Sequence, residues 1–134
     1  MEIYDATDDN KTVVRHIFEE VFNKRNPEAA LKWFAPNFIE HVPGPGQGQG
    51  SEGMRRFLAD IFFTPFPDAR WTIEQQVAEG EWIVTRFIFE GTQIGVFAGQ
   101  QPTGQPARMR GKVLDRIVGG RNIESWIIND AIRN

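Results

Sequence analysis

The sequence contains no cysteine. Disulfides, thiolate nucleophiles and cysteine-ligated metals are therefore excluded, and nothing ties the chain to an oxidising compartment. Histidine is scarce as well: 134 residues hold two, neither beside paired carboxylates, so no metal site is expected. No apolar run approaches the roughly 20 residues that cross a bilayer. Positive charge is in deficit, since 15 Lys and Arg against 18 Asp and Glu give a net charge of −3 and a pI near 5.4. That balance offers no electrostatic attraction for nucleic acid or an anionic membrane. Met1-Glu2-Ile3-Tyr4-Asp5 lacks the basic and apolar regions of a secretory signal, so the expected location is cytoplasmic.

Large apolar side chains are plentiful. Aromatics make up 12% of the chain, led by 11 Phe and 4 Trp, enough to build one core. The length fits a single domain over residues 1–134.

The N-terminal half reads as helical. Val13, Val14, Ile17, Phe18, Val21 and Phe22 form one apolar stripe between about Asp9 and Lys24. Asn26-Pro27 opens a short second helix over Glu28 to Phe34, and Ala35-Pro36-Asn37 stops it. Phe38 to Val42 is read as a brief strand, followed by a Pro- and Gly-rich loop over residues 43–50. Ser51 opens a third helix with Met54, Phe57, Leu58, Ile61 and Phe62 on one face.

After Asp68 the period changes to two. Trp71, Ile73, Gln75 and Val77 alternate with polar neighbours, and Trp82 to Gln93 is long and β-prone. A third long strand runs from about Ala107 to Val118, and Gly119-Gly120 turns it into a last strand over Ile123 to Asp130. Helices followed by an antiparallel meander of about four strands give an α+β class. The helices must cover one face of the sheet, and a sheet that wraps them without closing leaves a concave pocket.

Several segments then resemble a known family in order and content. Phe18-Glu19-Glu20-Val21-Phe22-Asn23 and Leu31 to His41 are similar to the opening of SnoaL-like polyketide cyclases. Phe66-Pro67-Asp68, Gly91-Thr92-Gln93, Pro102-Thr103-Gly104 and Glu124-Ser125-Trp126 follow in the matching order across nearly the whole chain. The family lies within the nuclear transport factor 2-like superfamily. The resemblance implies a cone-shaped, cystatin-like roll, three helices packed in a curved antiparallel sheet around a central pocket. It also implies a homodimer through the outer sheet face. The implied activity is cofactor-free cyclisation or isomerisation of an apolar, polyketide-like carbonyl compound. The chain departs from the family where Gln93 and Ser125 replace common histidines and where Val113 replaces an acid or histidine. An alternative therefore stands beside it, a non-catalytic protein that binds a small apolar ligand.

Two residues are the candidate catalysts. His41 sits where the short strand meets the Gly-rich loop, matches a family histidine and titrates near neutrality. The plainer reading is a structural histidine bonded to loop backbone. Asp115 is a lone carboxylate on the apolar row Met109, Gly111, Val113, Asp115 and Ile117, where burial would raise its pKa. The plainer reading has it reach water or pair with Arg116 or Arg121. Phe34, Phe38, Phe57, Phe87, Phe89, Met109 and Val113 are expected to line the pocket, with Gln93, Ser125 and Asn129 supplying hydrogen bonds. Asp130 has a family counterpart, with a terminal salt bridge as the alternative. The facing of the last strand stays open by one residue, Ser125 and Asn129 inward or Trp126 and Asp130 inward.

Gly48-Gln49-Gly50-Ser51-Glu52-Gly53 spells a nucleotide-binding pattern but lacks the βαβ context, so a pocket rim or lid is expected. Arg108, Arg110, Lys112 and Arg116 occupy the outer side of the sheet. Trp82, Ile88 and Leu114 share that side, and dimerisation through it follows.

Overall fold

The computed structural model describes residues 7–129, and side chains from Asp9 onward. Helix α1 covers Thr7–His16 and runs on as a π-helix over Ile17–Asn23. Val14, Ile17, Phe18 and Val21 recur at helical spacing and are all buried, so the stripe read from sequence is the face that packs. Asn23 ends this segment and behaves like a strand neighbour. Its side chain accepts from the Trp71 amide at 2.7 Å and donates to the Trp71 carbonyl at 2.9 Å, which ties the helix end to the sheet.

Pro27 opens a 3-10 turn, Pro27–Ala29, with no side-chain cap from Asn26, and α2 follows over Ala30–Trp33. Strand β1, Phe34–Glu40, begins four residues earlier than the alternation suggested and runs straight through Pro36. Its edge position explains why: Pro lacks a ladder donor, and an edge strand has one side that needs none. Helix α3, Gly50–Arg56, continues as a π-helix over Phe57–Phe62. Strands β2 (Arg70–Glu79), β3 (Trp82–Thr92), β4 (Pro106–Val118) and β5 (Arg121–Asn129) complete the chain.

The sheet order is β1-β5-β4-β3-β2. The meander β2 to β5 is antiparallel, as expected, whereas β1 joins β5 in parallel. The sheet is thus mixed, because a chain returning through α3 and three strands brings β5 beside β1 in the same direction. Val14 and Phe18 pack against Ile83, Phe87, Phe89, Val113 and Ile117, which puts the helices on one face only. This is the expected α+β arrangement, three helices in a curved, unclosed sheet. Among the described residues no helix is long and apolar enough to cross a membrane.

One parity switch was invisible in the pattern. A bulge between Ile73 and Gln75 inserts an extra residue in β2, so Gln76 and Ala78 turn inward and Val77 is left 59% exposed.

The glycines at 48–53 have a packing cause. Gly50 has φ +73°, and a Cβ there would lie 2.2 Å from the Pro36 carbonyl oxygen. A Cβ on Gly53 would lie 2.2 Å from the Gly48 carbonyl. The pattern lets α3 press against its own loop and β1, which has no bearing on phosphate. Gly53→Ala should therefore destabilise the fold by roughly 1–3 kcal/mol in urea titration despite the better helix propensity of Ala.

Candidate functional site

Helices and sheet leave a cavity of about 400 Å³ between them. Ile17, Phe18 and Phe22 of the first helix face it, as do Met54, Phe57, Leu58 and Phe62 of the third. The sheet side carries Phe87, Phe89, Met109, Val113 and Ile127, with Phe34 and Phe38 from β1. One end is aromatic throughout: Phe62 meets Phe66, Trp71, Phe89 and Phe97 at centroid distances of 5.1 to 5.8 Å. The Phe side chains thus build walls and leave the hollow open.

Among the described residues five polar side chains reach the cavity: Glu40, Gln47, Asp115, Ser125 and Asn129. No Lys, Arg or His is among the described residues that line it.

Three of the five form a row. Glu40 of β1 pairs with Ser125 of β5, and Ser125 pairs with Asp115 of β4. Cross-strand partners share a face, so all three point to the helices. Strands sit about 4.8 Å apart, which separates the Glu40 and Asp115 backbones by about 10 Å. Asn122 joins the row from a bulge in the β4–β5 ladder between Arg116 and Ile117. Asp115, Ser125 and Asn122 are all buried. The Asn122 amide donates to Asp115 Oδ1 and to Ser125 Oγ, each at 2.9 Å. The Ser125 hydroxyl donates to the same Asp115 oxygen. Both bonds end on Oδ1, leaving Oδ2 free of them.

Both carboxyls are hard to ionise. Burial pushes the Asp115 pKa up to about 6, against the opposing pull of the Ser125 and Asn122 hydrogen bonds. Burial pushes Glu40 further, to about 8, and the nearby Asp115 charge adds to the rise. Glu40 Oε2 is buried without a hydrogen-bond partner. Both carboxyls thus keep their protons to higher pH than in water, Glu40 more strongly than Asp115.

Asp115, Ser125 and Asn129 are in the cavity wall, together with Phe34, Phe38, Phe57, Phe87, Phe89, Met109 and Val113. Register settles the facing of β5, with Ser125, Ile127 and Asn129 inward and Trp126 outward. Two expectations need correction. His41 does not reach the cavity: period two places Phe38 and Glu40 inward, and His41 therefore faces out. Its ring stacks on Trp126 at 3.9 Å, and Nε2 lies 2.9 Å from Glu124 Oε1. Gln93 also misses the cavity. It lies beyond the end of β3, where its amide donates to the Gly95 and Gln100 carbonyls at 2.8 and 2.9 Å. Asp130 lies outside the described residues. Glu40 and Gln47 were not singled out in the sequence, although the inward parity of Phe38 already pointed to Glu40.

The raised pKa values set the sign of a stability effect. Unfolded, the two groups ionise near 4.5 and 3.8; folded, they keep protons to about 8 and about 6. Over that window the native state binds more protons, so stability falls as pH rises and levels off above about pH 8. Urea midpoints measured from pH 4 to 9 should follow this decline, and Glu40→Gln should flatten its upper half.

Comparison with known proteins supports the same fold. A family model described as SnoaL-like polyketide cyclase matches residues 12–133. Among solved structures, IdmH from Streptomyces antibioticus is 29% identical, with a TM-score of 0.73 over 90% of this chain and 91% of that one. TsrD from Streptomyces laurentii is 23% identical, with a TM-score of 0.80 over 96% and 92%. A SnoaL-like polyketide cyclase from Agrobacterium tumefaciens is 17% identical, with a TM-score of 0.75 over 90% and 91%. No curated protein matches. With its family model spanning all but the ends of the sequence, the chain belongs to the SnoaL-like polyketide cyclases.

Proposed function

We propose that the chain is a cofactor-free acid/base enzyme that cyclises or isomerises an apolar, polyketide-like carbonyl compound. The observation that carries this reading is the row Glu40–Ser125–Asp115, two carboxyls of unequal acidity in an otherwise apolar cavity. Near neutral pH Asp115 is the base and Glu40 the acid. Asp115 Oδ2 takes the proton from the carbon beside the carbonyl. The electron pair moves to the carbonyl oxygen, which receives the Glu40 proton, and an enol forms. In a cyclisation the enol carbon attacks a second carbonyl of the same molecule. Glu40 recovers its proton from the enol oxygen, and Asp115 protonates the new alkoxide. In an isomerisation Asp115 returns its proton to a different carbon. Protons and charge balance in both cases, with no redox partner. Ser125 and Asn122 hold the Asp115 carboxylate in one orientation, and Asn129 offers a hydrogen bond to a second oxygen.

A bicyclic aromatic ketone such as 2-acetonaphthone is a suitable probe, because its methyl protons exchange with D2O through the same enol. The protein should accelerate that exchange, read by NMR, with a rate that rises through about pH 6 and falls through about pH 8. Asp115→Asn should slow it about 100-fold or more. Ketone binding without exchange would leave the plain ligand-binding alternative in its place.

The outer face of the sheet supports a second proposal, a homodimer. Trp82, Val84, Val118 and Ile128 are 38 to 57% exposed there, and Trp82 and Trp126 stand 6.0 Å apart. Exposed apolar side chains grouped among the basic row in this way suit a second copy of the same face. Light scattering should give twice the 15.3 kDa of the chain, and Ile128→Glu, at an exposed position, should halve that mass without unfolding the protomer.

A further inference from the structure

Three buried side-chain atoms among the described residues lack a hydrogen-bond partner: Glu40 Oε2, Gln47 Nε2 and Gln76 Oε1. Buried polar groups are nearly always paired, so each calls for a cause. Gln76 lies away from the cavity wall, and its amide nitrogen is already bonded to the Lys11 carbonyl and to Thr85. The other two line the same cavity.

Gln47 stands on the loop that closes one end of the hollow. Its backbone amide donates to the Gly44 carbonyl at 3.1 Å, and the Gly44 amide donates to Gln47 Oε1 at 3.0 Å. This reciprocal pair fixes which end of the side-chain amide is which, because Oε1 must face an N–H donor. The free end is therefore the NH2 group, a donor. Gly44 is itself held in place, since the Phe57 ring packs where a Cβ would sit, 2.5 Å from Cζ. The loop thus presents an oriented donor to the cavity and spends no other bond on it.

The charge of the wall narrows what that donor can meet. The described lining holds two carboxyls and no cationic side chain. A carboxylate or phosphate on the ligand would face repulsion with no counter-ion, between largely apolar walls that screen it poorly. A neutral oxygen has no such cost.

We propose that Gln47 is a specificity-determining residue that donates a hydrogen bond to an uncharged acceptor oxygen of the ligand, a ketone, ester or amide carbonyl. This deepens the reading of the cavity as a carbonyl-compound site and rests on it. Gln47 positions the oxygen, whereas Glu40 and Asp115 move protons.

The test compares 2-acetonaphthone with 2-isopropylnaphthalene, which has the same outline without the oxygen, and with 2-naphthoate. Gln47→Met keeps the length of the side chain and removes the amide. The ketone-to-hydrocarbon affinity ratio should fall about tenfold in this variant while hydrocarbon affinity stays level or rises. In the wild type 2-naphthoate should bind more weakly than the ketone. Gln47→Asn, which withdraws the amide by one methylene, should lower the ratio in the same direction. An unchanged ratio in the variants would overturn the proposal, as would 2-naphthoate binding as tightly as the ketone. Loss of hydrocarbon binding in both variants would make Gln47 a prop of the loop and overturn it too. Deuterium exchange of the bound ketone is read separately. Its absence with an intact Gln47 effect removes the catalytic reading and leaves the recognition role standing.

Discussion

The strict two-residue alternation of β-strands, carried across three paired strands, is the constraint on which the rest of the structure depends. Because Glu40, Ser125 and Asp115 are register partners, they must all face the same way, and that way is toward the helices. A one-residue slip of β5 would send Ser125 to the outer face and bring Trp126 into the cavity. The bulge at Arg116–Ile117 protects this register. It lets Asn122 turn inward beside Asp115, where its amide bonds to both Asp115 and Ser125. The apolar core on one side of the row and the ladder on the other leave these side chains little freedom.

Such a row costs stability. An ionised carboxylate under an apolar roof has lost water and regained only part of it as hydrogen bonds. Asp115 recovers two such bonds on one oxygen, whereas Glu40 keeps a buried oxygen with none, and burial pushes the Glu40 pKa the further up. Two carboxyls in similar surroundings are thereby given unequal proton affinities. Acid/base chemistry needs that difference, and a pair of solvent-exposed carboxylates would not have it. The local conflict between burial and charge stands out against a chain whose helices, turns and strands otherwise agree with their sequence.

Much of this was legible in the residues. The break from a 3.6-residue to a two-residue period gave the order of helices and strands, and Asp115 stood out as a carboxylate in an apolar row. The inward Phe side chains followed from the same alternation. The rest depended on information that local patterns do not carry. His41 drew attention because of its chemistry, yet its parity relative to Phe38 puts it on the outer face beside Trp126. Glu40 shares the inward parity of Phe38, but only the pairing of β1 with β5, with three strands between them in the chain, sets it beside Ser125. The bulge in β2 flips Gln76 and Val77 without any glycine or proline to announce it. Gln47 lay in a loop whose composition says turn and nothing more.

The two faces of the sheet are not independent. Glu40 and His41 are neighbours in the chain, as are Ser125 and Trp126, and each pair sends one side chain into the cavity and one to the outer face. His41 is clasped on that outer face by Glu124 and Trp126, and Arg116 bridges Glu124 to Glu81 at 3.2 and 2.9 Å. This lattice spans β1, β5, β4 and the β2–β3 turn, the same strands that carry the carboxyl row. A backbone held from outside by stacked rings and ion pairs cannot shift its inner side chains freely, and acid/base geometry tolerates displacements of only about 1 Å. His41 is thus a clamp on the strand that presents Glu40, on the face opposite to the one its chemistry suggested.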